Sequence, residues 1–183
     1  MSKFRSAALA AALIASAAGL AAAGAEVAAS AQTTPAHTAR SSRVASNERE
    51  VRSFLRTVLD EHHGDQASRF LTRNAAWHGG TVGTVAPGKN VAGLFASVVA
   101  ALPNVHADLK DIFGQGSQVV VRLVVSGTQK GAILGIPASN RNIHWDAVDV
   151  YSLNDGKISS MWDGDDWSAI LYYTGKYKAP WIP

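Results

Sequence analysis

The sequence predicts an α+β domain in which a long, curved antiparallel sheet wraps three preceding helices, and three observations carry that prediction. Apolar residues first recur at helical spacing, in separate segments between residues 47 and 102. From residue 105 onward the chain turns to β-branched and aromatic runs punctuated by turn residues. Those runs follow one another on short connections, which forces neighbouring strands to be antiparallel.

Taken in order, Asn47 and Glu50 form a capping-box pair. Val51, Phe54, Leu55, Val58 and Leu59 then mark one face of a first helix running to about His62. Gly64 supplies a stop and Asp65 a new N-cap, so Ala67, Phe70 and Leu71 become the apolar face of a short second helix. Residues 75–78 are short and aromatic and predict a first strand, followed by a glycine-rich loop over residues 79–88. Asn90 caps a third helix with a stripe of Val91, Leu94, Phe95, Val98, Val99 and Leu102, ended by Pro103, which lacks the amide needed to continue. Strands are predicted over residues 105–113, 118–127, 130–136, 143–153 and 157–162, with Asn154-Asp155-Gly156 as a hairpin turn.

Ahead of this domain, Lys3 and Arg5 precede an almost uninterrupted apolar run over residues 7–23. Ala29-Ser30-Ala31 then offers small residues for cleavage before Gln32. This predicts a signal peptide over residues 1–31, a secreted or periplasmic protein, and no membrane association after cleavage. The polar, unpatterned residues 32–46 predict a flexible leader, leaving 47–183 as a single domain. The mature chain of 183 − 31 = 152 residues is long enough for one core. The chain has no cysteine, which excludes disulfides, thiolate catalysis and Cys-ligated zinc. Residues 1–31 carry Lys3, Arg5 and Glu26, a net +1, so the charge falls from +3 to +2, too little surplus for nucleic-acid binding.

In order along the chain stand Leu102-Pro103-Asn104, Val119-Val120-Val121-Arg122, Gly127-Thr128-Gln129-Lys130-Gly131, Gly135-Ile136-Pro137, Asp149-Val150-Tyr151, Asp155-Gly156-Lys157-Ile158, and Trp162 with Asp166 four residues on. From Phe95 onward this set resembles the SnoaL-like polyketide cyclase (ester cyclase) family of the nuclear transport factor 2-like superfamily. The resemblance implies a cone-shaped α+β barrel with a deep apolar cavity. It also implies intramolecular aldol chemistry with no cofactor and no metal, run by an aspartate near the C-terminus. By motif that aspartate falls on Asp166. Relatives often carry histidine where this chain has Gln129. A glutamine amide orients or stabilises an oxygen but cannot exchange protons near neutral pH.

Each candidate has two readings. Asp166 is a general base whose proton affinity rises in an apolar pocket, or it, or Asp165, caps a final helix beginning at Trp167. By the resemblance, His78 faces the cavity as proton relay or oxyanion donor; the alternative is a strand-end histidine bonded to a carbonyl. On the strand over 143–153, His144 and Asp146 share one face, with Trp145 and Asp149 on the other. The more apolar set of Trp145, Ala147 and Tyr151 predicts that their face, including Asp149, is interior. Trp77, Trp145, Trp162 and Trp167 form an aromatic lining or pack as core. Arg122 reads as a solvated strand residue. Adjacent His62 and His63 point about 100° apart on a helix and make a poor metal chelate. Neither a phosphate loop at Gly88-Lys89-Asn90 nor a serine-hydrolase elbow is present.

The sequence therefore predicts acid–base catalysis, as aldol-type cyclisation, isomerisation or dehydration, on a hydrophobic carbonyl-containing small molecule. Asp166 would be the base, with His78 and Gln129 polarising the oxygen. An exported binding module for an apolar ligand is the alternative, and a homodimer formed through the open sheet face is a third expectation.

Overall fold

The computed structural model describes residues 35–79, 84–133, 135–178 and 180–181, which belong to one compact unit. The predicted signal peptide lies outside the described residues. Helix α1 spans Pro35–Leu55 and passes into a π-helical turn over Arg56–Asp60. A 3₁₀ turn, Gly64–Phe70, leads to strand β1, Leu71–Gly79. Strand β2, Thr84–Pro87, and helix α2, Val91–Ala101, follow. Then come β3 (His106–Gln115), β4 (Gln118–Thr128), β5 (Asn142–Asn154), β6 (Lys157–Asp165) and helix α3 (Trp167–Tyr173).

The six strands form one mixed sheet in the order β2-β1-β6-β5-β4-β3. Consecutive strands from β3 to β6 are antiparallel, and β1 joins β6 in parallel. Register shifts in β1/β6, in β3/β4 between Leu109 and Asp111, and in β5/β6 between Ser152 and Leu153 are the irregularities that bend long strands. The α+β class is therefore as predicted, with the inner face of the sheet wrapped on α1 and α2.

Alternation builds the core. Val119, Val121 and Leu123 of β4, and Trp145, Ala147 and Tyr151 of β5, are buried against Val51, Phe54 and Val58 of the first helical segment and Val91 of α2. Phe54 is the hub, edge-on to Phe95 at 5.1 Å and near Tyr151 at 6.0 Å. Each fully buried side chain of this size contributes roughly 1.5–3 kcal/mol.

Four local expectations are corrected. The first helix already covers Pro35–Leu55, so the leader boundary at Asn47 falls inside a helix. Asn47 is no cap: it is buried and donates to Gly116 O at 3.2 Å, tying α1 to the β3–β4 turn, while Glu50 accepts from Lys157 instead. The glycine-rich loop contains β2, paired with β1 from Ala76↔Pro87 to Gly79↔Thr84. The described residues of 130–136 form no strand. The amides of Lys130 and Gly131 both bond Ala101 O, Gly135 takes φ +74°, and a lone bridge joins Ile133 to Ile136.

Candidate active site

A cavity of about 130 Å³ lies between α2 and the inner face of the sheet, capped by α3 and by the loop after Gln129. Leu94, Phe95 and Val98 of α2, Ala132 and Ile133 of the loop, and Ile170 of α3 make an apolar wall. Trp77 of β1, Trp145 of β5 and Trp167 of α3 add three indoles. Set into this wall are two carboxylic acids, Asp163 and Asp165.

Both acids are placed by the end of β6. Ile158 and Met161 at its start are fully buried, and the alternation continues beyond Trp162, turning Asp163 and Asp165 inward and Trp162 and Gly164 outward. Gly164 allows close pairing with β5, because a Cβ there would stand 2.5 Å from Val148 O. Gly79 does the same for Trp77: a Cβ at that position would stand 1.8 Å from the indole, which folds over the glycine toward Asp163, the register partner of Gly79. Trp77 Nε1 donates to Asp163 Oδ2, and Trp145 Nε1 donates to Asp165 Oδ1 at 2.5 Å.

A third acid stands behind them. Asp149 of β5 pairs directly with Asp163 across the ladder and accepts from Gly164 N at 3.2 Å. Burial raises its carboxyl well above the ordinary range, and the charges of Asp163 and Asp165 raise it further. Tyr151, fully buried beside it at 3.4 Å, is also pushed up, first by burial and then by the Asp149 charge. Asp163 is pushed up to about 7 by burial and by the Asp165 charge, against the pull of the Trp77 N–H. Asp165 is raised by burial, offset by the Trp145 bond. Asp163 Oδ1 is buried without a hydrogen-bond partner. An apolar cavity with a carboxyl poised near neutrality can take a proton from carbon or return one to oxygen.

The predicted residues divide. Trp77, Trp145 and Trp167 line the cavity. Asp149 and Tyr151 occupy the interior face, as the apolarity of their neighbours predicts, but lie behind the lining. Asp166 is outside: it is exposed and caps α3 by accepting from Ser168 N at 3.0 Å and Ala169 N at 3.2 Å. The bond from the Ser168 hydroxyl, more than any other contact, holds its carboxyl below the usual range, the reverse of what a base needs. His78 points to the outer face, where its ring stacks on Trp162 at 4.1 Å and 6°. Trp162 is 57% exposed, so neither residue reaches the cavity. Gln129 is buried but works on the loop: its Nε2 donates to Gly131 O, Ile136 O and Pro137 O at 3.1–3.2 Å, and its Oε1 accepts from Ser139 N. Arg122 pairs with Asp111 at 2.7 Å on the outer face. Sequence reasoning missed Asp163 and Asp165 because it ended the strand at Trp162; extending the inward alternation from Met161 finds both.

The family model of SnoaL-like polyketide cyclases matches residues 49–172. The chain belongs to the SnoaL-like polyketide cyclase family. No curated protein matches this SnoaL-like chain. Among solved structures it is similar to AclR, a putative hydroxylase from Streptomyces galilaeus, at 16% identity and a TM-score of 0.66, over 74% of this chain and 89% of that one. A putative SnoaL-like polyketide cyclase from Jannaschia is 22% identical, with a TM-score of 0.63 over 74% and 95% of the two chains. TsrD from Streptomyces laurentii is 24% identical, with a TM-score of 0.64 over 73% and 97%. At these identities the likeness establishes the fold, in which the SnoaL-like chain sets its own acids.

Proposed function

We propose that the protein is a cofactor-independent acid–base catalyst acting on a small hydrophobic carbonyl compound, by aldol-type cyclisation, isomerisation or dehydration, with Asp163 as the base. The observation that carries this reading is the Asp163 carboxyl, inside an apolar cavity and raised to about 7, where base strength and the ionised fraction are both useful. Asp165, held by Trp145, keeps the local charge negative and so sustains that value. The cavity volume is close to the ~150 Å³ of an engineered apolar cavity that admits benzene, which suits a single reacting ring with any remainder outside.

A nitrobenzisoxazole, whose ring opens when one carbon-bound proton is removed, reads the base without knowledge of the natural substrate. Turnover should rise with pH to a plateau, with a midpoint near 7, and fall about 10²- to 10⁴-fold in Asp163→Asn. Binding of the probe with no turnover dependent on Asp163 would sink catalysis and leave a binding module.

Two further expectations remain part of this proposal. The charged, then apolar N-terminus supports export, and the mature protein from its own host should begin at Gln32 by N-terminal sequencing. A row of five apolar side chains and His78 crosses the outer face of all six strands through Val85, His78, Trp162, Val150, Val120 and Phe113, each the register partner of the next. Val85, Trp162 and Phe113 are 51%, 57% and 59% exposed. This row supports pairing of two copies through the sheet.

A further inference from the structure

We infer that the cavity takes a protonated amine, a molecule of about one ring whose ammonium group pairs with the carboxyls of Asp163 and Asp165 and whose carbon frame lies among the three indoles. The inference rests on the cavity being the working site, and not on which reaction runs there.

One proton transfer needs one carboxyl, and this site assembles three. Every ionisable group facing Asp163 among the described residues is an acid: Asp165 on its own strand, and Asp149 and Tyr151 on β5. β1 presents Trp77, α2 contains no ionisable residue, and α3 presents Trp167 and Ile170. His78, Arg122 and His144 lie on the outer face, so no basic side chain of the described residues offsets this charge.

Like charges without a counter-charge in an apolar wall are costly, and two things relieve them: uptake of a proton, as the raised carboxyls show, or a bound cation that keeps them ionised. The buried Asp163 Oδ1 has no donor, and an ammonium N–H is the kind of group the site lacks. A metal ion fits less well, because Asp149 lies behind the lining, only Asp163 and Asp165 reach the cavity, and among the described residues no three Asp, Glu or His side chains are placed to hold one. The indoles suit an organic cation, which they attract through their ring faces while burying its carbon frame.

The test is calorimetric titration with piperidine, protonated from pH 6 to 8, against cyclohexanol as a neutral match and cyclohexanecarboxylate as an anionic one. At pH 8 piperidinium should bind at least tenfold more tightly than cyclohexanol, and the carboxylate should not bind. Because the cation needs Asp163 ionised, its affinity should drop about tenfold between pH 8 and pH 6. Asp163→Asn should abolish that pH dependence while still binding cyclohexanol, which also shows that the variant is folded. Piperidinium no tighter than cyclohexanol, an affinity unaltered in Asp163→Asn, or no binding of either compound would overturn the inference. Failure of the amine alongside Asp163-dependent turnover of the benzisoxazole removes the inference and leaves the catalytic reading. Amine binding without such turnover does the opposite.

Discussion

Trp77 and His78 are neighbours on β1, Trp162 and Asp163 are neighbours on β6, and each pair is split between the two faces of one sheet. On the inner face Trp77 holds Asp163 inside the cavity. On the outer face His78 stacks on Trp162 in contact with solvent. The residue types are equally suited to chemistry on both sides. What separates them is burial, which lifts the Asp163 carboxyl to about 7. The lesson is that strand phase, more than residue identity, decides which side chain is available for catalysis.

The sharpest way to break this comparison is to remove one member from each face. Asp163→Asn should cost about 10²- to 10⁴-fold in benzisoxazole turnover, whereas Trp162→Ala should leave turnover unchanged and instead reduce association of two copies, as read by light scattering. Equal losses in both variants would mean that the faces are not functionally distinct.

The same acid predicts a stability effect of opposite sign. Its folded-state value lies above the unfolded carboxylate value, so the folded state holds the proton more tightly. That contribution is complete below the unfolded value of about 4 and is lost as pH rises toward about 7, amounting to roughly 4 kcal/mol at one unit per 1.36 kcal/mol. Asp163→Asn, neutral throughout, should therefore raise the melting temperature at pH 8 relative to wild type and shrink the gain at pH 4. A variant equally destabilised at both pH values would contradict the assignment.

Smaller effects separate the loop from the cap. Gln129→Leu leaves loop groups without partners and should cost about 1–3 kcal/mol in chemical denaturation, with faster amide exchange at Ser139, whose N–H bonds Gln129 Oε1. Asp166→Ala should cost about 1 kcal/mol through the lost cap and leave benzisoxazole turnover intact. A large loss of turnover in Asp166→Ala would restore the motif-based choice of base.

Much of the architecture was legible in the residues. The helical stripe from Val51 to Leu59, the long β-branched strands and the Asn154-Asp155-Gly156 turn each carry a local signal that packing reinforces. The inward face of β5 was legible too, because Trp145, Ala147 and Tyr151 outweigh His144 and Asp146. The site was legible only in part. Asp163, Gly164 and Asp165 have low strand propensity and resemble a turn before a capped helix, so only tertiary pairing with β5 and β1 carries β6 through them. Asp166 has the residue type and motif position of a base, but its neighbours, Ser168 and the free amides of α3, claim its side chain. The helical state of residues 35–46 was hidden because they carry no apolar stripe, and the stripe was the signal used to place the boundary.

Gly79 limits how this cavity can be altered. With the Trp77 indole lying across its bare α-carbon, the two positions behave as one unit. A library randomised at position 79 alone should return glycine. Any alanine survivor should carry a second change at position 77, and with it the loss of the N–H that steadies Asp163.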